Sequence, residues 1–479
     1  MSSNLKNHNY SDTVNYLYGL QKHGIKLGLE NPRRLLSILG EPQKSFHSIH
    51  ITGTNGKGST ATIIASILKE NGLKVGLFTS PHLVSFTERI RVNNKEISEH
   101  EVIELANEIR NTMQNTPSLS SVRVDSDPSS ELNPTFFEFV TAMAFLYFKR
   151  KKIDWAVIET GMGGRLDATN VLMPEVSIIT NIGFDHKEFL GETISEIAFE
   201  KAGIIKPTVP VVTAAAHPDA LMVLEKTSKN CGSELHIYGR DFKSTLISMD
   251  EKHMVFDYSS TNPSMAHTFS LPLSGKHQLY NVSLAIRVCE ILAKKGIYLS
   301  NETISKGLLN LNLEGRLELI SQIPPIVIDS AHNPEAAQVL AHAVKEIFIE
   351  SRLKKIILIA GIMKDKDIEG ILPPLMQVSD TVILTKPKGE RAASPEKLKE
   401  SIKNLQTENN PTFSPLLKGG EGKFTPRLVT TDTVAEAIES AKALWKEGYI
   451  ILVTGSFYTT GEAKEYLNQT TGVLSRLRE

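Results

Sequence analysis

The stretch Thr52-Gly53-Thr54-Asn55-Gly56-Lys57-Gly58-Ser59-Thr60 has the residue types and order needed to hold phosphate. Glycines let backbone N–H groups turn inward, and a helix that starts behind them adds unpaired donors and a positive dipole end. Lys57 can reach the outer phosphates of a nucleotide, and the Ser59 hydroxyl can reach Mg²⁺. The spacing departs from the general phosphate loop because Gly58 separates the lysine from the serine. Gly53, Thr54, Asn55, Gly56, Lys57, Gly58 and Ser59 are the expected nucleotide-binding residues. The blander alternative is a structural turn whose lysine is merely solvated.

The flanking elements favour the first reading. Residues 46–51 form a short apolar run that reads as a strand, and residues 61–69 have helical spacing. Apolar runs at 75–79, 155–159 and 176–180 end in polar residues, as expected of parallel strands buried on both faces. Ligands bind beyond the C-terminal ends of such strands, so Thr79, Ser80, Glu159 and Asn181 should crowd the same site. The pattern restarts with strand candidates at 326–329, 356–360, 381–384 and 449–453 and helical stretches at 335–348 and 434–446. The expected fold is α/β: a phosphate-loop ATPase domain with a mostly parallel sheet, then a Rossmann-like C-terminal α/β domain. Segments 115–134 and 407–426 read as surface insertions, rich in Ser, Asp, Pro, Asn and Gly.

Composition narrows the partners. The chain has 479 residues, 41% hydrophobic and 22% charged, with a formal net charge of -1. This balance carries no global footprint for nucleic acid and no polybasic membrane signal. No apolar run approaches a transmembrane length of ~18 residues, and residues 1–7 have no secretory pattern. Cys231 and Cys289 are too few for a disulfide framework or a four-cysteine zinc site. The expectation is a cytoplasmic monomer acting on small molecules, with no nucleic-acid or membrane partner.

Further motifs fall in a recognisable order. Ser80-Pro81-His82-Leu83 is followed by Glu88-Arg89-Ile90, Thr135-Phe136-Phe137-Glu138 and the run from Glu159-Thr160-Gly161 to Ala168-Thr169-Asn170. Asp185-His186, Glu200-Lys201-Ala202-Gly203, Gly275-Lys276-His277-Gln278-Leu279-Tyr280-Asn281, Gly315-Arg316 and Asp329-Ser330-Ala331-His332-Asn333-Pro334 complete the set. With the phosphate loop, this series resembles the dihydrofolate synthase/folylpolyglutamate synthase group of the Mur ligase superfamily. The resemblance implies a Mur-ligase-type ATP-binding domain over 1–313 and a glutamate-ligase domain over 314–479. It implies that ATP phosphorylates a carboxylate of dihydropteroate or of a folate's glutamate tail, and that L-glutamate attacks the acyl phosphate.

The same resemblance assigns residues. Lys57, Lys201 and His332 would be catalytic, with Lys201 carbamylated. Ser59, Ser80, Glu138 and His186 would hold Mg²⁺. Asn281, Arg316 and Asp329 would bind ATP from across the domain cleft. Gly28, Leu29, Pro81, His82 and Arg89 would touch the folate-type substrate. Read alone, Glu138 is a carboxylate inside an apolar run, best explained as a solvent-facing helix residue. Likewise His186 reads as a hydrogen-bonded structural histidine, and Lys201 as a solvated charge. If Lys57 serves the phosphates, Lys57→Ala should lose ligation while the protein stays folded by circular dichroism. Normal turnover in a well-folded variant would overturn the phosphate-loop assignment.

Overall fold

The computed structural model describes residues 9–24, 26–115, 132–261, 266–350, 354–405 and 426–468. Both segments read as insertions lie almost entirely outside these residues. The first sheet comprises β1 (His47–Thr52), β2 (Val75–Phe78), β3 (Ile90–Val92), β4 (Lys95–Glu96), β5 (Trp155–Glu159), β6 (Val176–Ile179), β7 (Val211–Thr213) and β8 (Leu235–Ile237). Its order is β4-β3-β2-β5-β1-β6-β7-β8. β3 pairs antiparallel with both β2 and β4, and all other pairs are parallel. The continuous apolar runs have this cause: β1, β2, β5 and β6 are covered on both faces. The chain crosses from one side of β1 to the other, so a crevice opens beyond its C-terminal end.

A second sheet, absent from the sequence reading, is antiparallel: β9 (Phe242–Met249), β10 (Met254–Ser260) and β11 (His267–Leu271). Its inward side chains Phe242, Met254, Phe256, Phe269 and Leu271 join one core with the helices Lys57–Glu70 and His277–Lys294. The helix Lys57–Glu70 is therefore enclosed nearly all round, with every residue from Ser59 to Leu68 buried. Burying each large aliphatic side chain contributes about 1.5–3 kcal/mol, so Ile63, Ile64, Ile67 and Leu68 give the phosphate loop a rigid base.

The third sheet, β12 (Glu318–Gln322), β13 (Pro325–Ile328), β14 (Lys355–Ala360), β15 (Thr381–Leu384), β16 (Arg427–Thr430) and β17 (Tyr449–Thr454), runs β12-β13-β17-β14-β15-β16. Only β12 is antiparallel to its neighbour, so this sheet too is mostly parallel. The helix Pro334–Val344 begins with Asn333 as N-cap and proline in its first turn. Among the described residues no helix is long and apolar enough to cross a membrane.

One contact sets how closely the loop's helix is seated. Gly307 of the helix Asn301–Leu309 lies against Ile67, and a Cβ there would come within 2.6 Å of the Ile67 Cα. Ser66 Oγ also donates to the Gly307 carbonyl at 2.7 Å. Gly307→Ala is therefore expected to destabilise the protein by about 1–3 kcal/mol, read as a lower denaturant midpoint. A change within about 0.5 kcal/mol would mean this contact is not tight.

Candidate active site

The C-terminal ends of β1, β2, β5 and β6 meet the N-terminal edge of the C-terminal domain at an open cleft. The phosphate loop forms its floor. Gly53 (φ 152) and Gly56 (φ 82) adopt conformations that disfavour side chains. A Cβ on Gly53 would strike Thr180 Oγ1, and one on Gly56 would strike Asn281 Oδ1. Asn281 thus supports the loop from behind and does not line the cleft. It accepts from Thr60 Oγ1 at 3.4 Å and donates to Gln278 at 2.9 Å.

Two cations converge on one loop carbonyl. Lys57 Nζ donates to the carbonyls of Gly53 and Thr54, both at 3.1 Å. Lys201 Nζ donates to the same Gly53 oxygen at 2.9 Å. Lys201 is 3% exposed, not solvated, and burial followed by the Lys57 charge lowers its pKa to about 7.

One carboxylate parts company with the sequence expectation and another meets it. Glu138 does not line the cleft. Its carboxylate accepts from the Thr135 backbone N–H at 2.6 Å while Thr135 Oγ1 caps the Glu138 N–H, closing a capping box at the start of the helix Phe136–Lys151. Glu159, at the end of β5, does line the cleft, with Glu88, Asp185 and Glu314, and accepts from the Ser80 N–H at 3.0 Å. Burial raises its pKa to about 6, opposed mainly by Lys57 and the Ser80 N–H. The sequence put Glu159 near the nucleotide but not among the metal ligands; its position at a parallel strand's C-terminus was the usable signal.

Ser59, Ser80, Pro81, His82 and His186 all line the cleft. Burial lowers the His186 pKa to about 4, so the ring is neutral near pH 7. Arg89 is buried behind this wall, donating from Nε to His82 Nδ1 at 2.8 Å and stacking over Phe136. Since a guanidinium only donates, His82 keeps its hydrogen on Nε2, 3.2 Å from the Tyr18 hydroxyl. Gly28 and Leu29, just before the helix Glu30–Ile38, are not part of the cleft wall.

The opposite wall comes from the C-terminal domain. Arg316 and His332 line it, both packed near Phe457. His332 Nδ1 donates to the Ser330 carbonyl at 3.0 Å, leaving Nε2 as acceptor, and burial lowers its pKa to about 4. Asp329 sits behind the wall, accepting from the N–H groups of Leu317 (3.0 Å) and Ala331 (2.9 Å), and so fixes the Arg316 turn. Sequence reading missed Lys366, whose ammonium lies 2.8 Å from Asp185 of the N-terminal domain. Burial pushes Asp185 up, but His186, Lys366 and His332 outweigh it and hold the carboxyl well below its usual range.

A strand-borne phosphate loop facing a second α/β domain across a shared cleft defines a nucleotide-dependent two-domain enzyme. The family model for the Mur ligase middle domain matches residues 51–289, and that for the Mur ligase glutamate ligase domain matches 315–457. The chain belongs to the Mur ligase family. Its similarity runs full length to the dihydrofolate synthase/folylpolyglutamate synthase of Bacillus subtilis, 34% identical over 96% of this chain and 99% of that one. The folylpolyglutamate synthase of Lacticaseibacillus casei is 36% identical over 81% of this chain and 88% of its own. Among solved structures, Escherichia coli FolC in complex with DHPP and ADP superposes with a TM-score of 0.80 at 28% identity, covering 97% of this chain and 99% of that one. The Mycobacterium tuberculosis folylpolyglutamate synthase, complexed with ADP and AMPPCP, gives 0.79 at 29% identity, covering 96% and 99%.

The buried Lys201 gives a pH signature. Between its folded pKa of about 7 and its ordinary value of 10.5, the unfolded chain binds one more proton than the folded protein. Stability therefore rises with pH across that window, and below about 7 the protein carries the full cost of a buried ammonium. In bicarbonate-free buffer, the denaturation midpoint of Lys201→Met relative to wild type should be highest near pH 7 and should decline towards pH 10. A pH-independent difference would show that Lys201 is not a desolvated amine.

Proposed function

We propose that this chain ligates L-glutamate to dihydropteroate, to the glutamate tail of folates, or to both, through an ATP-derived acyl phosphate. The observation that carries the reading is the facing pair of walls: phosphate-holding groups on one domain, Arg316 and His332 on the other. A carboxylate is a poor acyl donor because its leaving oxygen is charged, and phosphorylation supplies a better leaving group. Lys57 and the N–H groups of the loop hold the nucleotide phosphates, and Arg316 contributes a planar cation from across the cleft. Asn281 and Asp329 act at one remove, by supporting the loop and the Arg316 turn.

The donor set suits Mg²⁺. Among the described residues no group of three or more His, Cys, Asp or Glu side chains could form an all-protein metal cage. Mg²⁺ instead uses one or two carboxylates and substrate phosphates. Glu159, with the Ser59 and Ser80 hydroxyls and the neutral His186, offers that set; Glu138, spent on its helix cap, does not. When bound, Mg²⁺ offsets the charge of the phosphates and of the acceptor carboxylate.

Lys201 is the proposed modification site. A lysine with a pKa near 7 is substantially unprotonated at neutral pH, so its nitrogen can bond to CO₂ and release a proton, giving a carbamate. That turns one of two crowded cations into an anion. Neutral His332 presents its Nε2 lone pair to the incoming glutamate nitrogen. Pro81 and His82 form the wall offered to the folate-type substrate, with Arg89 fixing the His82 tautomer. Gly28 and Leu29 join this set on resemblance alone.

The direct test is purified protein with ATP, Mg²⁺, labelled glutamate and either dihydropteroate or tetrahydrofolate. Glutamate incorporation and ADP release should both require the folate-type acceptor. Glu159→Gln should lower turnover on the order of 100-fold. Glu138→Gln should cost about 1 kcal/mol of stability through its cap and leave most turnover. The reverse pattern would return the metal carboxylate to Glu138. ADP release without glutamate incorporation would sink the ligase reading.

A further inference from the structure

The tip of the phosphate loop is held by the other domain through a ring of hydrogen bonds whose polarity is fixed throughout. The Asn55 backbone N–H can only donate, and it meets Asn181 Oδ1 at 2.7 Å. The far end of that amide is therefore Nδ2, which donates to Glu335 Oε1 at 3.1 Å. The other carboxylate oxygen, Oε2, accepts from Asn55 Nδ2 at 3.0 Å. Asn55 Oδ1 is left as an acceptor, and Asn333 Nδ2 fills it at 3.0 Å. Asn333 Oδ1 in turn caps the helix Pro334–Val344 through the Ala336 N–H at 2.8 Å. Gly183 makes room: a Cβ there would run into Glu335 Oε2.

Two amide NH₂ groups thus point at one carboxylate, and only a group with two acceptors satisfies both. The ring spans the domains, since Asn55 and Asn181 belong to the first and Asn333 and Glu335 to the second. It ends on the residue two before Lys57.

We propose that Asn333 and Glu335 form a polar clamp through which the C-terminal domain fixes the tip of the phosphate loop, so that nucleotide affinity and the seating of that domain are one coupled equilibrium. Glu335 is a positioning residue: it acts through Asn55 on the loop. The coupling is reciprocal, so whatever loosens the clamp weakens the nucleotide and the nucleotide tightens the clamp. The nucleotide half rests on the function proposed above.

The ring prescribes its own rescue. Glu335→Gln sets one NH₂ against another. Asn181→Asp sets one carboxylate against another. In the double variant Glu335→Gln/Asn181→Asp the polarity is restored. The carboxylate introduced at position 181 accepts from the Asn55 N–H and from the amide introduced at position 335. The oxygen of that amide accepts from Asn55 Nδ2. Each variant and the wild type are measured for ADP–Mg²⁺ affinity by calorimetry and for denaturation midpoint without nucleotide. Each single change is expected to weaken ADP roughly tenfold, and the double variant to return to within about threefold, with the same non-additive recovery in the midpoints. Wild-type affinity in the single variants, or a double variant carrying the sum of both losses, would overturn the clamp. If the wild type binds no ADP, the nucleotide reading fails. The midpoints then decide the clamp: recovery supports it and additivity overturns it.

Discussion

Two lysine amines, Lys57 and Lys201, share the carbonyl oxygen of Gly53, and a helix N-terminus opens beside them, so protonating Lys201 there sets charge beside charge. Much of the surrounding structure keeps this arrangement in place. Lys201 is buried from a helix whose Glu200 pairs with Arg165. Glu159 and Asp185 supply compensating charge without closing onto either lysine. The helix Lys57–Glu70 is packed on every side, so the loop cannot relax by tilting its base. The donors and positive charge suited to a phosphate are thus fixed by the folded state itself.

The parallel strands were readable because strands buried on both faces leave unbroken apolar runs, as in 155–159 and 356–360. The antiparallel β9 to β11 sheet was not singled out, although β9 alternates, with Phe242, Ser244 and Leu246 inward. The polar residues within the strand, Ser244, Thr245 and Ser248, diluted that signal. The phosphate loop was legible because all its parts are local in sequence. The contacts between the two domains were not, because Asn55 and Glu335 stand 280 positions apart and a domain contact leaves no periodic trace.

Glu138 and Glu159 illustrate the limit of motif reading. Both are carboxylates beside apolar runs, and both lie in motifs shared with the family. What separates them is local physics: Thr135-Phe136-Phe137-Glu138 has capping-box spacing, whereas Glu159 is the last residue of a parallel strand. Lys201 shows the opposite case. No local rule marks it as buried, because the groups that enclose it, Gly53 and the loop around Gly164, come from distant parts of the chain.

The all-round burial of the helix Lys57–Glu70 also bears on how the protein responds to salt. Mobile ions screen a helix dipole by crowding its ends and flanks, and the effect is strong on surface helices. Here the flanks are enclosed by the first sheet and by the helices His277–Lys294 and Asn301–Leu309, so counterions reach the positive end only through the cleft. A phosphate seated there occupies the same approach. The attraction that the helix exerts on its ligand is therefore a property of the packed interior, and ionic strength governs the encounter with the cleft more than the hold once the ligand is inside.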